Sequence, residues 1–155
     1  MVNYHASAVS RVVALALACA WLCPLAAQRV ESDSAMGNTV TIRIGDETFV
    51  ATLVDNPTAS AFKALLPLSV SMAELNGNEK LIRLPASLPT QPSRPPSIRS
   101  GDVMLYGSDT LVLFYTSFAT TYSYTRIGRI DDPAGLERAL GAGSVTVTFA
   151  MRQEK

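Results

Sequence analysis

The chain has 155 residues, thirteen Lys and Arg against thirteen Asp and Glu, one histidine and two cysteines. The histidine, His5, and both cysteines, Cys19 and Cys23, fall in the first 23 residues, inside a segment with the composition of an export signal. Removal of that segment excludes thiolate nucleophiles, Ser-His and Cys-His catalysis, disulfides and ordinary zinc sites from what remains.

Arg11 precedes an apolar run from Val12 to Cys23, followed by Pro24 and the small residues Ala26 and Ala27 before polar Gln28. A positive start, an apolar centre and a small-residue exit form the secretory pattern. The run is shorter than the roughly 20 residues that span a bilayer. Residues 1–27 are therefore expected to be a cleaved signal and the protein to be exported, periplasmic or extracellular, without a membrane span. Lipoprotein processing at Cys19 is the rival, a poorer match because an aliphatic residue is wanted where Ala16 stands. From Gln28 onward twelve basic and thirteen acidic residues are scattered along the chain. Nucleic acid is accordingly not an expected partner.

Residues 28–39 are polar and small, a flexible tether, and residues 40–151 form the folded domain. Val40 to Ile44 and Glu47 to Leu53 alternate with period two around Gly45-Asp46, which predicts a hairpin with Ile42 opposite Phe49 and Val40 opposite Ala51. A helix follows, capped by Asp55 or Asn56 with Pro57 in its first turn; Ala59, Phe62, Leu65 and Leu66 form its apolar stripe, and Pro67 ends it. Leu68 to Met72 reads as a strand, and Ser71 with Glu74 as a one-turn capping box. Asn76-Gly-Asn78 is a turn before a strand over Glu79 to Leu84.

Residues 85–100 carry five prolines. They remove backbone donors and disfavour helix in the residues before them, so the segment reads as an extended surface loop pinned by Leu84, Leu88 and Ile98. Gly101-Asp102 opens a second hairpin, Val103 to Tyr106 and Thr110 to Tyr115, whose second arm is apolar enough to be buried on both faces. From Tyr122 to Ile130 the residues alternate again, with Tyr122, Tyr124 and Arg126 on one face and Ser123, Thr125 and Ile127 on the other. Asp131-Asp132-Pro133 is expected to cap a second short helix bearing Leu136, Ala139 and Leu140 and stopped by Gly141. Ser144 to Met151 is a last strand, with Val145, Val147, Phe149 and Met151 inward.

This pattern predicts seven or eight short strands and two short helices. A closed antiparallel barrel solves the edge problem without disulfides; a β-sandwich is the second architecture. Several blocks resemble the bacterial cyclophilin-like domain family. They are Phe49 to Leu53 with Asp55-Asn56 and the helix ending at Pro67, Leu75 to Lys80, Gly101 to Gly107, Leu113 to Tyr115, and Tyr122 to Asp131. The resemblance runs from Val40 to Phe149. It implies an eight-stranded β-barrel with two capping helices, and export or lipoprotein signals are common in that family. The catalytic Phe-His-Arg and Phe-Met-x-Gln-Gly-Gly strings of true cyclophilins do not occur, so no catalytic residue carries over by motif.

Prolyl isomerisation needs an apolar grip and a cation donating to the prolyl nitrogen, because amide resonance sets its barrier. Arg126, beside Tyr122 and Tyr124, is the basic residue in an aromatic setting, with Phe114, Tyr115 and Phe118 as an apolar wall. Leu75-Asn-Gly-Asn-Glu79 is the other candidate, a polar loop with one carboxylate whose Asn76 and Asn78 can hold a peptide backbone, although a glycine-centred turn explains the asparagines as well. Asp131 and Asp132 are accounted for by capping, so no metal is expected, and no cofactor motif or acid/base pair of carboxylates is evident. The leading reading is a binding module for a peptide or small molecule in a cleft near Tyr122, Tyr124 and Arg126. Next comes a divergent peptidyl-prolyl isomerase with Arg126 as electrophile, and third an interaction module acting through the proline-rich loop. The oligomeric state is left open.

Overall fold

The computed structural model describes residues 37–153. The expected signal segment and most of the expected tether lie outside the described residues. Eight strands close into one antiparallel barrel: β1 (Thr39–Ile44), β2 (Glu47–Leu53), β3 (Leu68–Leu75), β4 (Glu79–Arg83), β5 (Asp102–Tyr106), β6 (Thr110–Phe114), β7 (Thr125–Ile130) and β8 (Val145–Met151). Round the cylinder the order is β1-β2-β7-β5-β6-β4-β3-β8, and β8 pairs back onto β1. Closure leaves no exposed edge.

Local chemistry sets the first hairpin. Gly45 supplies a positive φ of 57° at the first loop position, the place glycine takes in a two-residue turn of the favoured twist. Ile42 falls opposite Phe49 and Val40 opposite Ala51, as the alternation predicts. The helix α1 (Pro57–Lys63) begins where Asn56 Oδ1 accepts the Ala59 amide at 2.7 Å, with Pro57 in the first turn. It is shorter than its apolar stripe implies. After Lys63 the chain tightens through Leu65 N to Phe62 O and Leu66 N to Lys63 O, and both leucines pack half-buried against the core.

Two expectations are corrected. Ser71 and Glu74 do not form a capping box; β3 runs on through both to Leu75, because its partners β8 and β4 extend the ladder across them. Asp131 and Asp132 do not cap the second helix either. The helix α2 (Leu136–Leu140) starts after Gly135, while Asp132 closes its own turn onto the Ala134 amide and Asp131 accepts from Thr52 Oγ1 at 2.8 Å. Gly141 ends α2 as expected.

The barrel interior is one cluster of alternating side chains, among them Val40, Ile42, Ala51, Val103, Leu105, Leu111, Leu113, Val147 and Phe149. Phe62 of α1 meets Phe149 edge-on at 5.6 Å, and Leu136 and Leu140 of α2 join the same cluster. Each such large side chain contributes roughly 1.5–3 kcal/mol when taken from water. Gly128 on β7 is required by packing, since a Cβ there would sit 2.7 Å from the Thr52 carbonyl oxygen.

A second cluster lies on the outer face of β5 and β6: Ile98, Met104, Val112, Phe114 and Tyr124, with Leu81 and Phe118 beside it. These two strands are buried on both sides, which explains their nearly continuous apolar sequence. The proline-rich segment is the cover. Several of its remaining amides are used in place: Leu88 N donates to Ser108 O, Gln91 N to Thr125 Oγ1, Ser93 N to Tyr124 O and Ile98 N to Phe118 O. Leu84, Leu88 and Ile98 are buried, so the segment is pinned at both ends.

Candidate functional site

The hairpin of β3 and β4 turns through Asn76 and Gly77, both at positive φ (58° and 70°), a conformation asparagine tolerates and glycine favours. Beyond this turn, on the outer face of the barrel, a cavity of about 280 Å³ opens. Its floor is Leu81 of β4 with Val112 and Thr110 of β6, and its rim is Leu75, Asn76 and Asn78. The walls are aromatic: Tyr106, Phe118, Tyr122 and Tyr124. Tyr106 ends β5 and meets Tyr122 edge-on at 6.2 Å and Tyr124 tilted at 5.7 Å. Tyr124 stands perpendicular to Phe114 at 5.4 Å, which fixes its ring from behind.

One charged side chain lines the cavity, Glu79. It pairs across the ladder with Phe114, so it shares the outer face with the second cluster. The residue is only 8% exposed, and no ion pair or side-chain hydrogen bond engages it among the described residues. Burial and the charge of Glu74 push the Glu79 carboxyl above its ordinary value. The Tyr124 phenol is also pushed up, by burial first and by the Glu79 charge next. Asn78 Oδ1 is buried and has no hydrogen-bond partner among the described residues.

Of the residues singled out from the sequence, Tyr122, Tyr124, Phe118, Asn76 and Asn78 line this cavity; Phe114, Tyr115 and Arg126 do not. Phe114 sits beneath the wall, against Tyr124 and Phe118. Tyr115 belongs to the inner core cluster and donates its hydroxyl to Glu74 Oε1 at 2.8 Å. Burial and that hydrogen bond push its phenol up to about 12.

Arg126 lies opposite Met104 on the outer face, but its Nη1 stands 3.7 Å from Oδ1 of the fully buried Asp102. Arg129 Nε is 3.9 Å from the same oxygen. Residues three apart face opposite ways on a regular strand. The register slip between Val103 and Met104 brings both guanidinium groups to one carboxylate. Asp102 Oδ2 meanwhile accepts the Arg99 amide at 2.9 Å.

Tyr106 was missed in the sequence, and Glu79 was legible there only as the carboxylate of the Leu75 to Glu79 loop. Tyr106 reads there as the last residue of a hairpin arm and Glu79 as the polar start of a strand; β5 and β4 both pair with β6, and that pairing brings them to one opening. No group of three or more His, Cys, Asp and Glu able to hold a metal occurs among the described residues, and no described helix is long and apolar enough to cross a membrane.

Residues 42–150 match the family model described as the Cyclophilin-like family. The chain belongs to that family. The match takes in the barrel from within β1 to within β8 and both helices. No curated protein matches the chain.

Proposed function

We propose that this chain is an exported cyclophilin-like domain that binds a peptide or small ligand in the aromatic cleft without transforming it. One observation carries the reading: Leu75, Tyr106 and Tyr122 are the large hydrophobic side chains left exposed among the described residues, and all three line the same cavity. Exposed apolar surface gathered at one place marks an interaction site, whereas scattered single residues carry no such meaning. The volume of about 280 Å³ is just under the roughly 300–1,000 Å³ of pockets for drug-sized ligands, which suits a side chain or a small molecule.

A divergent prolyl isomerase is the competing reading, with Arg126 as donor to the prolyl nitrogen. The engagement of that guanidinium by Asp102 favours binding over catalysis. Two measurements separate them. An end-capped Ala-Ala-Pro-Phe peptide is expected to shift the NMR signals of Tyr106, Tyr122 and Tyr124 without accelerating proline isomerisation in a protease-coupled assay. Acceleration that is lost in Arg126→Ala but kept in Arg94→Ala would replace the binding reading with the isomerase.

Export is supported by Arg11, the apolar run to Cys23 and the small residues before Gln28. Sequencing the amino terminus of the protein recovered outside the cytoplasm is expected to give Gln28. An acylated Cys19 would assign a lipid anchor instead.

A further inference from the structure

The cleft offers a negative charge and no positive one. Glu79, a carboxylate that can only accept, and Asn78, whose buried Oδ1 is unmet, both line it, and no Lys, Arg or His does. A charge taken from water and left without a partner is unfavourable, and so is a buried carbonyl oxygen with no donor. Glu79 gains no partner from Glu74, whose charge is also negative. Lys80, next in sequence, does not meet Glu79 either. That ammonium points to the barrel interior and is held by Glu74 and by the carbonyls of Gly141 and Gly143.

The walls have the matching chemistry. Tyr106, Tyr122 and Tyr124 stand at 86° and 53° to one another rather than stacked, so their faces are turned in different directions around the opening. Aromatic faces attract cations through the ring quadrupole. A neutral apolar guest would satisfy the rings and leave both acceptors unmet; an anion would add repulsion from Glu79. A quaternary ammonium would meet the charge but bring no N–H for Asn78.

We infer that the cleft selects its ligand through a primary alkylammonium group, whose N–H donors meet Glu79 and Asn78 while its methylenes lie against the tyrosines. The inference rests on the reading of the cleft as a ligand site. The group can belong to a free aliphatic amine or to a lysine side chain of a peptide.

The test is an NMR titration of the protein expressed from the full chain, with n-butylammonium, butan-1-ol and tetramethylammonium as probes. Butylammonium is expected to shift the cleft tyrosines with a Kd about tenfold or more below that of either other probe. Glu79→Gln is expected to raise the butylammonium Kd about tenfold and leave butan-1-ol unchanged. Asn78→Ala is expected to raise it about threefold and serves if the first variant fails to fold. Equal binding of butan-1-ol, or unchanged butylammonium binding in the folded variant, would overturn the inference.

An end-capped Gly-Lys-Gly peptide distinguishes the sources. Tighter binding than butylammonium assigns the ammonium to a peptide, weaker binding to a free amine, and both uphold the ammonium. If the capped Ala-Ala-Pro-Phe peptide shifts the cleft tyrosines and no ammonium probe does, the inference falls while the cleft reading stands. If no probe shifts them, both fall.

Discussion

Glu74 and Glu79 sit on paired strands of one hairpin and face opposite sides of the barrel wall. Glu74 shares its face with Lys80 and Leu113, toward the interior; Glu79 shares its own with Phe114, toward the cleft. Three groups meet Glu74: Lys80 Nζ pairs with Oε2 at 2.6 Å, while the Tyr115 hydroxyl at 2.8 Å and the Gly77 amide at 2.9 Å donate to Oε1. Burial alone would raise its carboxyl, but these donors outweigh burial and hold it below its ordinary value. Glu79 has none of them and is raised. A charge whose partners are all supplied by the fold ties elements together, whereas one left open at a cavity costs the empty protein and is useful only with a guest.

The largest effect is expected where the satisfied side is broken. Lys80→Met leaves the Glu74 carboxylate and the carbonyls of Gly141 and Gly143 without their cation in a site where Lys80 is fully buried. Loss of one partner of a buried pair costs about 3–5 kcal/mol, and urea denaturation should show this as a lowered midpoint at unchanged slope. A loss within 0.5 kcal/mol, the scale of surface changes, would mean that Lys80 is not the tie between the hairpin and the segment after α2. Tyr115→Phe removes one donor and keeps the ring, so a loss of about 2 kcal/mol is expected. In that variant Glu74 should titrate higher by carboxyl NMR; an unmoved titration would show that the hydroxyl does not hold the carboxylate.

Asp102 sharpens the comparison, because it is fully buried yet paired with arginines whose side chains are 46% and 39% exposed. Screening by solvent weakens such pairs. Asp102→Asn keeps an acceptor for the Arg99 amide and should cost only about 1 kcal/mol by denaturation. A loss as large as that of Lys80→Met would place Asp102 among the fully tied charges.

Legibility in the sequence followed the range of the interaction. The Gly45-Asp46 turn, the Ile42–Phe49 register and the Asn56 cap are decided within a few residues, and all were readable. So was the barrel, since every strand carries its own alternation or apolar run. The Ser71–Glu74 capping box failed because a four-residue signal lost to cross-strand pairing, and because Glu74 is claimed by Tyr115, 41 residues away. The aromatic residues around Tyr122 drew attention by composition alone. Tyr106 did not, since nothing local distinguishes it from an ordinary strand end, and Glu79 stood out only as the carboxylate of a polar turn. Arg126 drew attention through its aromatic neighbours, but a slip in register and the distant Asp102 decide where its guanidinium goes.

The smallest effect should have the opposite sign. Glu79 holds its proton more tightly in the folded chain than at its ordinary value of 4.5, through burial and the charge of Glu74. It therefore adds stability below that value, and the contribution is lost as the pH rises through its higher folded value. At pH 7 the empty protein carries the unfavourable charge, so Glu79→Gln should be the more stable form by about 0.5 kcal/mol. The advantage should vanish near pH 4, where the wild-type carboxyl is mostly neutral as well. Thermal melts at the two pH values read both arms. With saturating n-butylammonium the order at pH 7 should reverse, because the ligand stabilises the form that binds it. Destabilisation by Glu79→Gln in the absence of ligand would show that the fold itself satisfies Glu79, and the contrast with Glu74 would collapse.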